Sequence, residues 1–75
     1  MPDLCIPIAR CGYHGLFIEM KTKTGRTTTE QDGWLELLNG NGYLAVVCHG
    51  AGDAINTIDD YMKGRQVGHH ESGRR

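Results

Sequence analysis

Residues 43–48 read YLAVVC: apolar at every position, rich in β-branched side chains, with Asn39-Gly40-Asn41-Gly42 before them and His49-Gly50-Ala51-Gly52 after. A strand with one wet face alternates apolar and polar residues, whereas a strand that never alternates has both faces covered. The segment therefore predicts a strand buried between two layers. The flanking glycine clusters are turn and stop signals that bound it on each side.

The rest of the chain supplies elements around that strand. Residues 4–9 form a short apolar run that reads as a strand, followed by the turn cluster Gly12-Tyr13-His14-Gly15. Residues 16–21 (LFIEMK) alternate: Leu16, Ile18 and Met20 fall on one face of a strand, and Phe17, Glu19 and Lys21 on the other. Thr28 is a good N-cap and Gln31 stands three residues later, the spacing of a capping box. A helix is predicted over 29–38, with Gln31, Trp34, Leu35 and Leu38 on one face. A second helix is predicted over 53–62, its apolar face carrying Ala54, Ile55, Ile58, Tyr61 and Met62. The order is β-β-α-β-α, an α/β class, and the strand–helix–strand unit fits a right-handed parallel crossover. The domain is expected to span 1–63. Residues 64–75 are polar, glycine-containing and without periodicity, and are read as a flexible C-terminal tail.

Composition excludes several classes. The chain has 75 residues, too few for more than one domain and few enough that a partner subunit or further segment is expected to add stability. Hydrophobic residues at 39% and charged residues at 23% fit a globular chain rather than a disordered one. The net charge of −1 gives no global basic signature, so nucleic-acid binding would depend on a local edge drawn from Lys21, Lys23, Arg26, Lys63 and Arg65. Three cysteines and no CxxC pair speak against a disulfide framework or a zinc ribbon and for a reducing, cytoplasmic setting. No apolar run is long enough to cross a membrane.

The chemistry-bearing pattern is Glu19-Met20-Lys21. The period of two along a strand puts the carboxylate and the ammonium side by side on one face. Should the first two strands pair as a hairpin, Asp3 comes close to Glu19. Two carboxylates and the Met20 backbone carbonyl make a hard-oxygen site suited to Mg²⁺ or Mn²⁺. Lys21 is then placed to hold or deprotonate an attacking water, and Gln31 to orient Lys21 or that water. Each sign is weak alone: an E-x-K triplet is often a solvated strand face, Gln31 can be a cap only, and Lys23 and Arg26 can be a solvated loop. Trp34 reads as core or dimer contact before a base-stacking platform, and His14 as a turn residue. Cys48-His49 is only superficially half a zinc site.

The longer pattern is more specific. Pro2-Asp3, Gly15 through Lys21, Gly25-Arg26, Thr28 through Gln31, Trp34-Leu35, Leu38, Gly42-Tyr43 and the final helix with Ala54, Ile58 and Tyr61 together resemble the virus-type replication-repair nuclease (VRR-NUC) family of the PD-(D/E)XK nuclease superfamily. The resemblance implies a small restriction-endonuclease-like core, here lacking the usual N-terminal helix and strand. It implies a Mg²⁺- or Mn²⁺-dependent DNA endonuclease of phage or viral type, homodimeric and acting on branched or junction DNA, in the host cytoplasm if phage-encoded. By motif position, Asp3 and Glu19 match the metal-binding carboxylates, Lys21 the lysine and Gln31 the helix glutamine. Lys23 and Arg26 are the candidate DNA contacts. The competing expectation is a catalytically inactive nuclease-fold module that serves DNA binding or assembly. A cysteine- or histidine-based metal-binding domain is the weaker third.

Overall fold

The computed structural model describes residues 2–65 and 67. Its elements are β1 (Leu4–Ile6), β2 (Leu16–Lys21), α1 (Thr29–Gly40), β3 (Leu44–His49) and α2 (Ala51–Met62), the β-β-α-β-α order that the sequence predicts. They form a three-stranded sheet in the order β1-β2-β3, with β1 antiparallel to β2 and β2 parallel to β3.

Strand alternation sorts the core into two layers. Leu16, Ile18 and Met20 pack on the α2 side with Leu44, Val46, Cys48, Ala54 and Tyr61. Phe17 packs on the α1 side with Leu35, Leu38, Ala45 and Val47. Residues 44–48 of β3 are accordingly all buried, as an unbroken apolar strand requires. The same alternation directs Glu19 and Lys21 of β2 to the α1 side.

Several boundaries differ from expectation for local reasons. β1 stops at Ile6 instead of reaching residue 9, because Pro7 has no N–H to donate to the ladder. β3 begins one residue late, at Leu44. Tyr43 instead closes the turn after α1, its N–H donating to the Leu38 carbonyl at 3.1 Å while its ring meets those of Phe17 and His14 edge-on. α1 runs two residues further than predicted, to Gly40. Gly42 adopts φ +90°, and a Cβ there would stand 2.6 Å from the His14 ring, so only glycine fits this turn.

α2 starts at Ala51 rather than at residue 53, with Gly50 as its N-cap. Ile55, predicted on its apolar face, is 64% exposed, and the fully buried Thr57 takes a core position instead. Trp34 is half-buried and lines a shallow groove with Glu30, Gly33 and Leu37 rather than joining Leu35 and Leu38. Val67, within the span read as a tail, is buried against the α2-side layer. Residue 66 and residues 68–75 of that span lie outside the described residues.

The outer edge of β3 is partly stoppered. Leu44 and Gly50 donate to the β2-side carbonyls of Gly15 and Lys21, so the alternate residues Ala45, Val47 and His49 direct their backbone groups away from β2. The Asn39 side chain imitates a strand partner for Ala45, accepting from its N–H at 3.0 Å and donating to its carbonyl at 3.1 Å. The Asp53 carboxylate accepts from the His49 N–H at 2.9 Å. Side chains that occupy an edge in this way discourage another strand from adding to it.

Candidate active site

Glu19 is only 5% exposed, and a carboxylate so buried needs partners. Two converge on one of its oxygens. Gln31 Nε2 donates to Glu19 Oε2 at 2.9 Å, and Lys21 Nζ lies 3.6 Å from the same atom. The Gln31 amide is held at both ends. Its Oε1 accepts from the Thr28 N–H at 3.0 Å, while the Gln31 N–H donates to Thr28 Oγ1 at 3.1 Å. This is the predicted capping box, and it leaves the amide NH₂ facing the sheet. The motif that starts the helix thus also delivers a donor to Glu19. Gln31 contacts Glu19 here, not Lys21.

Asp3 stands just before β1 and brackets Glu19 along β2. Its N–H donates to the Ile18 carbonyl at 3.0 Å and its Oδ2 accepts from the Met20 N–H at 2.9 Å. Backbone groups of one strand residue point to the same side. The Met20 carbonyl therefore faces the β1 side, beside Asp3. Asp3 Oδ1 and Glu19 Oε1 make no hydrogen bond or ion pair among the described residues. Two such oxygens and a carbonyl are hard donors of the kind Mg²⁺ and Mn²⁺ take, so these residues fit the ion the pattern implies. No group of three or more histidine, cysteine or acidic side chains among the described residues is arranged to hold a metal. Cys48 is buried, its Sγ donating to Thr57 Oγ1 at 3.4 Å, and burial pushes its thiol up from the ordinary value.

Lys23 and Arg26 are exposed on the loop between β2 and α1, and neither has a hydrogen bond or ion pair among the described residues. His49 was weighed in the sequence only with Cys48, as a superficial half of a zinc site, and not as a neighbour of Lys21. It pairs in register with Lys21, so its ring lies on the same sheet face one strand over, where Nε2 donates to the Gly25 carbonyl at 3.2 Å. Its place directly after the apolar run, at the sheet end that carries Lys21, was the available signal.

A mixed sheet with a helix on each face, and an acid-x-lysine strand backed by a helix glutamine, defines a small nuclease-like α/β core. The sequence matches the VRR-NUC domain over residues 1–52. A solved structure described as a VRR_NUC domain protein superposes with a TM-score of 0.82 at 42% identity, covering 87% of this chain and 54% of that one. The chain belongs to the VRR-NUC family, a family of nuclease domains, and spans about half the length of that solved relative. No curated protein is matched by the sequence. No helix among the described residues is long and apolar enough to cross a membrane.

Proposed function

We propose that this chain is a divalent-metal-dependent deoxyribonuclease domain that hydrolyses phosphodiester bonds. Asp3, Glu19 and the Met20 carbonyl would hold Mg²⁺ or Mn²⁺. The observation that carries the reading is the convergence of Gln31 and Lys21 on Glu19 Oε2, next to an Asp3 clamped across Ile18 and Met20. An ion held there supplies Lewis acidity to a phosphate oxygen and makes a water more acidic. Lys21 Nζ orients the attacking water and offsets negative charge on the phosphate as the bond to that water forms. Gln31 keeps the Glu19 carboxylate in one orientation through its capped amide. Lys23 and Arg26 contact the DNA. Branched or junction DNA as substrate, a homodimer as the working form, a phage or viral origin and a cytoplasmic setting belong to the same reading.

Cleavage of a four-way junction against linear duplex, in Mg²⁺ and in EDTA, tests it. Metal-dependent cutting with preference for the junction is expected. No cutting of either substrate in Mg²⁺ or Mn²⁺ would remove the enzymatic claim. A second reading, a DNA-holding or assembly module without catalysis, draws on one observation: among the described residues no three or more histidine, cysteine or acidic side chains gather into a metal-holding group. Retained DNA binding without Mn²⁺ binding would favour it.

A further inference from the structure

The loop after β2 reaches the end of β3 through the Gly25–His49 contact and leaves an open cavity of about 430 Å³, lined by Gly25, Arg26, Thr27, Asp32, Val47 and His49. Building on the nuclease reading above, we propose that this cavity takes one unpaired nucleobase of the DNA strand that crosses the catalytic face.

Position comes first. His49 is the register partner of Lys21, so the cavity opens one strand away from the Glu19–Lys21 pair and on the same side of the sheet. A base seated here belongs to a nucleotide next to the one being cut.

The polar groups come second. Val47 directs its backbone N–H and carbonyl to the outer edge of β3, and among the described residues no hydrogen bond occupies them. Its neighbours on that edge are taken, Ala45 by Asn39 and the His49 N–H by Asp53. An incoming strand would have to displace both side chains. A planar group that needs one donor and one acceptor fits the gap at Val47 without displacing either side chain. A nucleobase edge presents such a pair.

The charged groups come third. Among the described residues the Arg26 guanidinium has no partner, and Asp32 Oδ2 has none either, while Oδ1 accepts from the Thr27 hydroxyl. A bare phosphate would meet the Asp32 carboxylate with like charge. A heterocycle carrying ring acceptors and amino or imino donors can use both residues, over the apolar floor that Val47 supplies. The volume lies within the range of about 300–1,000 Å³ usual for small-molecule sites.

The test is an amide-shift NMR titration of the full chain in EDTA, with the four deoxynucleosides in separate samples and with inorganic phosphate. At least one deoxynucleoside is expected to move the signals of Arg26, Thr27, Asp32, Val47 and His49 while phosphate does not. Arg26→Ala should weaken that binding about tenfold or more, as loss of a charge-assisted bond does. Asp32→Asn, nearly equal in shape, should change which base binds best. The proposal is overturned if no deoxynucleoside moves these signals, or if phosphate moves them as strongly. No metal and no cleavage enter the measurement. A silent cavity in a protein that cuts DNA therefore defeats this inference alone, and base binding in a protein that never cuts defeats only the nuclease reading.

Discussion

Gln31 Nε2 lies 2.9 Å from Glu19 Oε2, and the other end of the same amide accepts the Thr28 N–H. One side chain therefore closes the N-terminus of α1 and fixes a buried carboxylate on β2. Folding and the site share a component. Gln31→Ala should lose the reciprocal cap and leave Glu19 with Lys21 alone, lowering stability by about 1–2 kcal/mol. Gln31→Glu keeps the capping pattern but sets a second carboxylate against Glu19. Its urea midpoint should fall in EDTA and recover in Mn²⁺, whereas recovery with Gln31→Ala should be smaller.

Lys21 and Glu19 form an ion pair with side chains 19% and 7% exposed. Lys21→Met keeps the stem and removes the ammonium. DNA cleavage should fall at least ~10²-fold while the circular dichroism spectrum is retained, the scale on which a lost transition-state donor acts. Cleavage at the wild-type rate would place Lys21 outside the chemistry.

Two core groups resist ionisation. Burial raises the Cys48 thiol above its ordinary 9.0 and the Tyr61 hydroxyl above its ordinary 10.0. For a group whose folded pKa is raised, the stabilisation is complete below the unfolded pKa and is lost as pH climbs through the folded one. Stability measured by urea unfolding should hold up to about pH 9 and decline above it. Cys48→Ala should flatten the first part of that decline. Tyr61→Phe should flatten the part above about pH 10, and at neutral pH should cost about 1–2 kcal/mol, because Tyr61 Oη donates to the Ile8 carbonyl at 2.6 Å. Under native conditions the exposed Cys5 and Cys11 should react quickly with a thiol reagent, and Cys48 only after unfolding.

Asn39 covers both backbone groups of Ala45 at the open edge of β3. Asn39→Ala should therefore cost about 1–3 kcal/mol and also promote self-association, read by light scattering against the parent protein.

The elements with strong local signals were legible. Residues 16–21 announce β2 by alternation, Thr28 and Gln31 announce the start of α1 to the residue, and the apolar run at 43–48 announces a strand with two covered faces. What sequence could not give were facts of tertiary contact. Nothing in the spelling of Gln31 says that its amide reaches Glu19, or that Asp53 serves the His49 N–H and so leaves the start of α2 to Gly50. Ile55 satisfies the helical period yet faces solvent, because Thr57, bonded to Cys48, takes the buried place. His49 was weighed only beside Cys48, because its partner across the sheet, Lys21, is distant in sequence and only the parallel register joins them.

Mn²⁺ titration followed by electron paramagnetic resonance, on the parent protein and on Asp3→Asn and Glu19→Gln, bears most directly on the metal-dependent reading. Bound Mn²⁺ is expected in the parent, with affinity at least about tenfold weaker in each variant. Mn²⁺ uptake by both variants equal to that of the parent would contradict the assignment of these two carboxylates as the ion's ligands.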